Sequence, residues 1–255
     1  STITSLSVAH ITPVSIASGK TLSGGITVSA GSINLDKTGT LASTIAMSGG
    51  ILDADESLAV SGALSHTADI TIDVADNKTL SYTGAAINVG ANSLTLSGGG
   101  SIVSGGITLN NSDSKLLLNS ITLDNATTSS DSLGLDVDAD SIVTSLSVAH
   151  ITPVSIASGK SLSGGITVSA GSIKLSEAGT LASSISMSGG TLDADKSSTV
   201  SGALSHSADI EIDVASGETL TYSGSPISLG TNTVTLSGGG ILVSGGLTLN
   251  NANSK

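Results

Sequence analysis

The chain lacks cysteine, arginine, phenylalanine and tryptophan, and Tyr82 and Tyr222 are its only aromatic residues. Without cysteine there is no disulfide, no thiolate metal site and no cysteine nucleophile. The formal net charge is −12 over 255 residues, and the basic clusters that bind nucleic acid are missing. We therefore expect no nucleic-acid partner. No apolar run is long enough to predict a membrane span.

The scarcity of aromatic residues also constrains the interior. A core without Phe or Trp must be filled by Ile, Leu, Val and Ala, which suits a narrow interior in which similar residues stack. Gly, Ser, Thr, Asn and Asp are frequent, and these residues favour turns and caps over helix interiors. The composition therefore predicts an all-β fold.

The sequence repeats itself at an offset of 140 residues. Residues 4–115 return as residues 144–255 without a gap, and 30 of the 112 aligned positions differ. We therefore divide the chain into a first repeat unit, residues 1–143, with a junction near residues 136–143, and a second, incomplete unit, residues 144–255. Because the chain begins without Met and stops inside a unit, we expect a piece of a longer array.

Short apolar–polar alternations between turn residues fill the repeat. Residues 69–100, DITIDVADNKTLSYTGAAINVGANSLTLSGGG, contain four of them, separated by Gly, Asn and Asp, which is the strand signal. Val89 and Leu229 exchange one apolar residue for another between the copies, whereas Lys78 and Glu218 exchange opposite charges. This separation indicates that the first kind of position packs inside and the second faces water.

These patterns predict a parallel β-helix, or β-solenoid, of tandem 140-residue repeats; tandem β-sandwich modules are the alternative. Two or three strands would form one coil of about 20 residues, and successive coils would pair at about 4.8 Å. One repeat would then hold about seven coils and rise about 34 Å.

Three segments carry a resemblance to a known family: TLSGGITVSAGSI at residues 21–33, GKTLSG at residues 19–24 and NSLTLSGGGSI at residues 92–102. In style and composition the chain resembles the right-handed parallel β-helix of bacterial surface adhesins, of the filamentous haemagglutinin and autotransporter-passenger type. The resemblance implies a secreted, elongated and repetitive protein of the cell surface.

Asp136, Asp138 and Asp140 form the one candidate metal site. If they lie on a strand, alternation places the three carboxylates on one face. Ca²⁺ prefers oxygen ligands and would relieve their mutual repulsion. The segment lacks the Gly and the later Glu of an EF-hand loop, so a solvated acidic face is the alternative. We predict no other cofactor.

Other motifs have structural interpretations. Asp53 and Asp55 recur as Asp193 and Asp195 and are expected to form an acidic turn. The four histidines lack converging partners, which predicts structural or exposed roles. The Gly-rich runs lack the following Gly-Lys-Ser/Thr and helix of a phosphate loop, so these glycines are expected at coil corners.

The leading hypothesis for function is a non-catalytic structural module of an extracellular fibre, stalk, adhesin or cell-surface layer. Its expected partners are other copies of itself, further repeats of a longer chain, or host or cell-surface glycans. A carbohydrate-active β-helix lyase or hydrolase is the first alternative, which the lack of Arg and Trp disfavours. An ice- or surface-binding solenoid is the second, but Thr231, Thr233 and Thr235 match only one Thr, Thr95, in the first copy. Cross-β polymerisation of many chains is an alternative for assembly.

Overall fold

A computed structural model describes residues 1–251 of the chain. These residues form strands, turns and irregular segments, and none of them belongs to a helix. Accordingly, this part of the chain has no helix that could cross a membrane. The last four residues of the second repeat unit, 252–255, lie outside the described residues.

The chain divides into two compact units, the first at residues 1–126 and the second from Thr127 onward. The sequence repeat, in contrast, restarts at Thr144. The boundary between the compact units and the start of the second sequence repeat need not coincide, because a 140-residue repeat can be counted from any of its residues.

Short strands follow one another along the whole described chain. Those that begin in the first unit are β1 (Thr2–Val8), β2 (Thr12–Pro13), β3 (Thr21–Val28), β4 (Ser32–Leu35), β5 (Thr40–Leu41), β6 (Thr44–Met47), β7 (Ile51–Ala54), β8 (Leu58–Val60), β9 (Leu64–His66), β10 (Ile70–Val74), β11 (Thr79–Tyr82), β12 (Ile87–Asn88), β13 (Ser93–Ser97), β14 (Ser101–Ser104), β15 (Ile107–Leu109), β16 (Lys115–Leu118) and β17 (Thr122–Thr128).

The strands of the second unit follow the same order. They are β18 (Gly134–Val137), β19 (Ser141–Val148), β20 (Ile151–Ile156), β21 (Ser161–Val168), β22 (Ser172–Leu175), β23 (Thr180–Leu181), β24 (Ser184–Met187), β25 (Thr191–Ala194), β26 (Ser198–Val200), β27 (Leu204–His206), β28 (Ile210–Val214), β29 (Thr219–Tyr222), β30 (Ile227–Ser228), β31 (Val234–Ser237), β32 (Ile241–Ser244) and β33 (Leu247–Thr248).

Each strand pairs in parallel with a strand of the next coil rather than with its neighbour in sequence. In the first unit β4 pairs with β7, β7 with β10, and β10 with β13. Paired side chains lie 19 residues apart at Asn34 and Asp53, and 24 apart at Asp73 and Ser97. This confirms the predicted coil of about 20 residues.

Each unit is a parallel β-solenoid, and the two units together contain about 12 turns. The prediction of a parallel β-solenoid is therefore confirmed. The alternative of tandem β-sandwiches is wrong, because sandwiches are built from antiparallel pairs, whereas the pairs within each unit are parallel.

The core consists of aliphatic side chains stacked from coil to coil. In the first unit one inward row runs through buried Ile33, Leu52, Ile72, Leu96 and Leu118, which are register partners. Alternation along each strand turns the intervening residues outward. The fold thus confirms an interior made of stacked Ile, Leu and Val.

At a few positions one copy has an apolar residue where the other has a polar one. We predict that these positions lie at partly exposed strand ends. Ile51 and Ile241 confirm this, since both begin a strand and are exposed. The prediction is wrong for Leu58 and Ser198, which also begin strands but are buried. Ser198 is accommodated because its Oγ lies 2.9 Å from the carbonyl oxygen of Glu177 and 2.7 Å from that of Lys196, and its one proton can be donated to either.

Candidate functional site

One outward-facing row concentrates carboxylates in the first unit. Asn34, Asp53, Asp73 and Ser97 occupy register positions on β4, β7, β10 and β13, and we call these four residues the acidic row. Nδ2 of Asn34 donates to Oδ2 of Asp53 at 3.0 Å and to Oδ2 of Asp55 at 2.8 Å. Ser97 Oγ donates to Oδ2 of Asp73 at 2.5 Å. Each carboxylate is therefore held by a donor from an adjacent coil.

The electrostatics of the acidic row act mainly on Asp53. Partial burial raises the pKa of Asp53, the hydrogen bond from Asn34 lowers it, and the charges of Asp55 and Asp73 raise it further. The net direction is upward from the ordinary value of 3.8. Burial of the ionised Asp53, together with the like charges of Asp55 and Asp73, thus costs free energy at neutral pH, which the amide of Asn34 only partly offsets.

The second unit contains the same row with a different donor. Lys174 replaces Asn34 at the corresponding position, beside Asp193 and followed by Asp213 and Ser237. Its Nζ lies 2.8 Å from Asp195 Oδ2 and 3.5 Å from Asp193 Oδ2.

The pKa values of this second row follow from the same contacts. The Asp195 carboxylate raises the pKa of Lys174, and burial raises the pKa of Asp193 against the opposing charge of Lys174. In both copies, then, the side chain at position 34 or 174 bridges two carboxylates. The Asp53/Asp55 and Asp193/Asp195 pairs are thus each connected to the preceding coil by one side chain. The sequence-based prediction of an acidic turn did not include this contact.

The predicted calcium ligands are not arranged as the sequence suggested. Asp136 lies on β18, but that strand ends at Val137, so Asp138 and Asp140 lie beyond it. The condition under which alternation would place the three carboxylates on one face is therefore not met. Asp140 Oδ1 accepts hydrogen bonds from the amide of Ser161 at 2.8 Å and from its hydroxyl at 3.0 Å.

Among residues 1–251, no three His, Asp or Glu side chains are grouped so that they could hold a metal ion. The structure does not bring Asp136, Asp138 and Asp140 into one such group. Calcium at this junction stays a prediction.

The histidines have the surroundings of structural residues. His66 Nδ1 lies 3.0 Å from the carbonyl oxygen of Ala68, and His206 makes the equivalent contact with Ala208. Because a carbonyl only accepts, Nδ1 carries the proton in both rings. His10 is exposed, and His150 Nδ1 lies 3.9 Å from Asp131 Oδ1.

The hydroxyl group of each tyrosine forms hydrogen bonds that connect two adjacent coils. The buried Tyr82 Oη accepts from the amide of Leu64 at 2.9 Å and donates to the carbonyl oxygen of Ala85 at 2.8 Å. Tyr222 repeats these contacts with Leu204 and Ser225. Burial raises the pKa of Tyr82, although the Leu64 hydrogen bond opposes the rise. From the sequence, the only sign that these two positions are special is that the chain has no other tyrosine.

The grooves of the second unit are shallow and lined by small or hydrogen-bonded groups. One of about 380 Å³ lies beside Glu177, Lys196, Ser197 and Glu218. Ser197 Oγ donates to Glu218 Oε2 at 2.7 Å, and this bond, with that of the Ser197 amide, lowers the pKa of Glu218. Glu218 thereby serves as a hydrogen-bond acceptor and ion-pair partner.

Another groove, of about 270 Å³, is lined largely by hydroxyl-bearing and small side chains, among them Thr144, Thr167, Ser186 and Ser205.

Comparison with protein-family models, with curated proteins and with solved structures finds no match to this chain.

Proposed function

We propose that this chain is a structural repeat module of an extracellular fibre, stalk, adhesin or cell-surface layer, and that it has no catalytic role. The observation that supports this most directly is the in-register stacking of aliphatic side chains within each unit, from Ile33 to Leu118 in the first. Such stacking lets coils be added one after another at the same spacing, because each coil contacts only its neighbours.

The polar side chains also support a structural role. Carboxylates of the acidic row accept hydrogen bonds from neighbouring coils, and the tyrosine hydroxyls connect backbone groups of different coils. These groups are thus engaged in hydrogen bonds between coils, which a reacting group would have to give up. An acidic, hydroxyl-rich surface would keep the module soluble at neutral pH.

The adhesin type is the finer part of the proposal. It is supported by the resemblance of residues 19–33 and 92–102 to surface β-helices and by the parallel solenoid itself. Secretion to the cell surface, a right-handed coil, and binding to host or cell-surface glycans all belong to this finer proposal.

The experiment compares chains with one, two and three copies of the 140-residue repeat. Their longest dimension, measured by small-angle scattering and electron microscopy, should increase by an equal step of about 34 Å per added copy, at about 4.8 Å per coil. A dimension that stays nearly constant as copies are added would contradict a structural role in building length. Depolymerisation of acidic polysaccharides by the same chains would instead support the lyase alternative.

A further inference from the structure

The two methionines of the chain are both paired with histidines across neighbouring coils. Met47 on β6 is the register partner of His66 on β9 in the first unit. Met187 on β24 is the register partner of His206 on β27 in the second. The chain has only two methionines and four histidines. Each copy of the repeat therefore places its one thioether beside an imidazole.

Each methionine and its histidine lie on the same inward row. Ile45 and Met47 are buried at alternate positions of β6, and Val28, the register partner of Met47 on the preceding coil, is buried as well. On β9, Leu64 is buried, and the partly buried His66 follows two residues later on the same side of the strand. Adjacent strands lie about 4.8 Å apart, so the thioether and the imidazole are stacked in an apolar setting.

The imidazole carries a free lone pair in this setting. The Nδ1–H group of His66 is held by the carbonyl oxygen of Ala68 at 3.0 Å, and His206 makes the same contact with Ala208. Within residues 1–251, Nε2 of each of these two rings is buried and has no hydrogen-bond partner. A proton on Nε2 would create a buried charge without a partner, so Nε2 is the unprotonated nitrogen.

This arrangement of the ring is that of a metal ligand. A histidine that binds a metal through one nitrogen almost always donates its other N–H to a carboxylate, a water or a backbone carbonyl, which fixes the tautomer and the orientation of the ring. The contact with Ala68 supplies that second interaction for His66, and the contact with Ala208 supplies it for His206. Both rings are thus oriented before any cation binds.

The donor atoms indicate one class of cation. Thioether sulfur is a soft ligand that selects Cu(I) over hard cations, and imidazole nitrogen also binds copper. Metal–nitrogen and metal–sulfur bonds are about 2.0 and 2.3 Å long. A cation between the two donors would therefore hold them about 4.3 Å apart, close to the strand spacing of about 4.8 Å. Zn²⁺ in structural sites is almost always bound by four ligands, so a pair of donors disfavours it.

We propose that Met47 Sδ and His66 Nε2 bind one Cu(I) ion between them, and that Met187 and His206 form the equivalent site. A shallow groove of about 110 Å³, with Met47 and His66 among its lining residues, gives the ion a route from solvent to the first pair. The net charge of −12 favours the approach of a cation. The proposal goes beyond the structural role proposed above, and either can hold without the other.

Titration of the chain with Cu(I), without oxygen and in competition with a coloured Cu(I) chelator, measures the number of ions bound. The unaltered chain should bind two. Met47→Leu and Met187→Leu should each bind one, and the double variant should bind none. Leucine has nearly the volume of methionine, so the core stays filled. Far-UV circular dichroism checks folding, and Met187→Leu tests the same geometry in the other unit if Met47→Leu unfolds.

A second readout identifies the nitrogen that binds. Addition of Ag⁺, a soft monovalent ion that does not change its oxidation state here, should shift the Nε2 resonances of His66 and His206 in nitrogen-detected imidazole spectra. The matched controls are His10→Gln and His150→Gln, which remove the histidines that have no methionine partner. Both controls should still bind two Cu(I) ions.

Three outcomes would overturn the proposal. The first is an unaltered chain that binds no Cu(I), and the second is a double methionine variant that still binds two ions. The third is a loss of bound Cu(I) in His10→Gln or His150→Gln, which would place the ions on exposed histidines. Each of these outcomes would leave the structural role of the repeat intact, because that role depends on how length grows with the number of repeats.

Discussion

At the scale of single residues, the two copies act as an internal mutagenesis experiment. Asn34 and Lys174 occupy the same position, and each donates to the two carboxylates beside it. Both copies thus place a hydrogen-bond donor at this position, neutral in one and charged in the other. The donor faces carboxylates that the register brings together on adjacent coils.

The raised pKa of Asp53 gives a pH dependence of stability. Because the folded state holds the proton more tightly than the unfolded state, this contribution is fully present below pH 3.8, the ordinary pKa, and is lost as pH rises through the raised value. Asp53→Asn mimics the protonated form and should stabilise the chain at pH 7. The gain should be about 0.5 kcal/mol or less, because solvent still reaches this partly buried carboxylate and screens its charge.

Urea denaturation at pH 7 and at pH 3 measures this effect. The midpoint difference between Asp53→Asn and the unaltered chain should be largest at pH 7 and vanish in acid. Asp76→Asn, in an exposed turn of the same unit, controls for the change in net charge. Equal effects of the two variants at pH 7 would show that the register of the acidic row is irrelevant.

The tyrosine hydroxyl has a structural role that phenylalanine cannot fill. Tyr82→Phe leaves the buried amide of Leu64 and the carbonyl of Ala85 without this partner. The expected loss is about 1–3 kcal/mol of unfolding free energy. The measurement is chemical denaturation, with Ser61→Ala at an exposed position as the control. An unchanged denaturation midpoint for Tyr82→Phe would contradict a stabilising role for these hydrogen bonds.

At the scale of structural elements, glycine allows one coil to approach the next. A Cβ on Gly62 would collide with the carbonyl group of Ser43 on the preceding coil, and Gly202 stands in the same relation to Ser183. Gly25, in contrast, would place its Cβ no closer than 3.7 Å to any neighbour. Close approach of backbones, rather than an unusual φ angle, is thus the reason for glycine at position 62.

Substitution by alanine separates these two glycines. Gly62→Ala should destabilise the chain by about 2 kcal/mol or more, because the clash is with backbone that cannot rotate away. Gly25→Ala should change stability by about 0.5 kcal/mol or less. Thermal melting followed by circular dichroism compares the two, and equal melting temperatures would contradict the predicted contact between coils.

The strands themselves were predictable from the sequence, because period-two alternation and Gly or Asn at the turns are local signals. The inward positions were also predictable, since exchanges such as Val89 to Leu229 preserve apolar character. The bridging role of Asn34 was not, because it depends on which residues of other coils come into register. The end of β18 at Val137 was not predictable either, and the expectation that Asp136, Asp138 and Asp140 share one face of a strand depended on a longer strand.

At the scale of the whole molecule, a narrow aliphatic interior explains why the sequence can dispense with Phe and Trp. Each coil brings only a few side chains to the centre, and similar residues above and below fill the space. The same regularity lets 82 of the 112 aligned positions stay identical between copies, since coils at equivalent positions have equivalent neighbours.

The most direct test of the parallel coil is a set of distances within the first unit. Spin labels are placed at Pro13 and at one of Asp73, Ser97 and Asn119, which lie three, four and five coils further along one row. The chain has no cysteine, so introduced cysteines direct the labels. Pulsed electron spin resonance should give distances of about 14, 19 and 24 Å, a step of about 4.8 Å per coil. Distances that do not grow by a constant step would contradict the stacked-coil account.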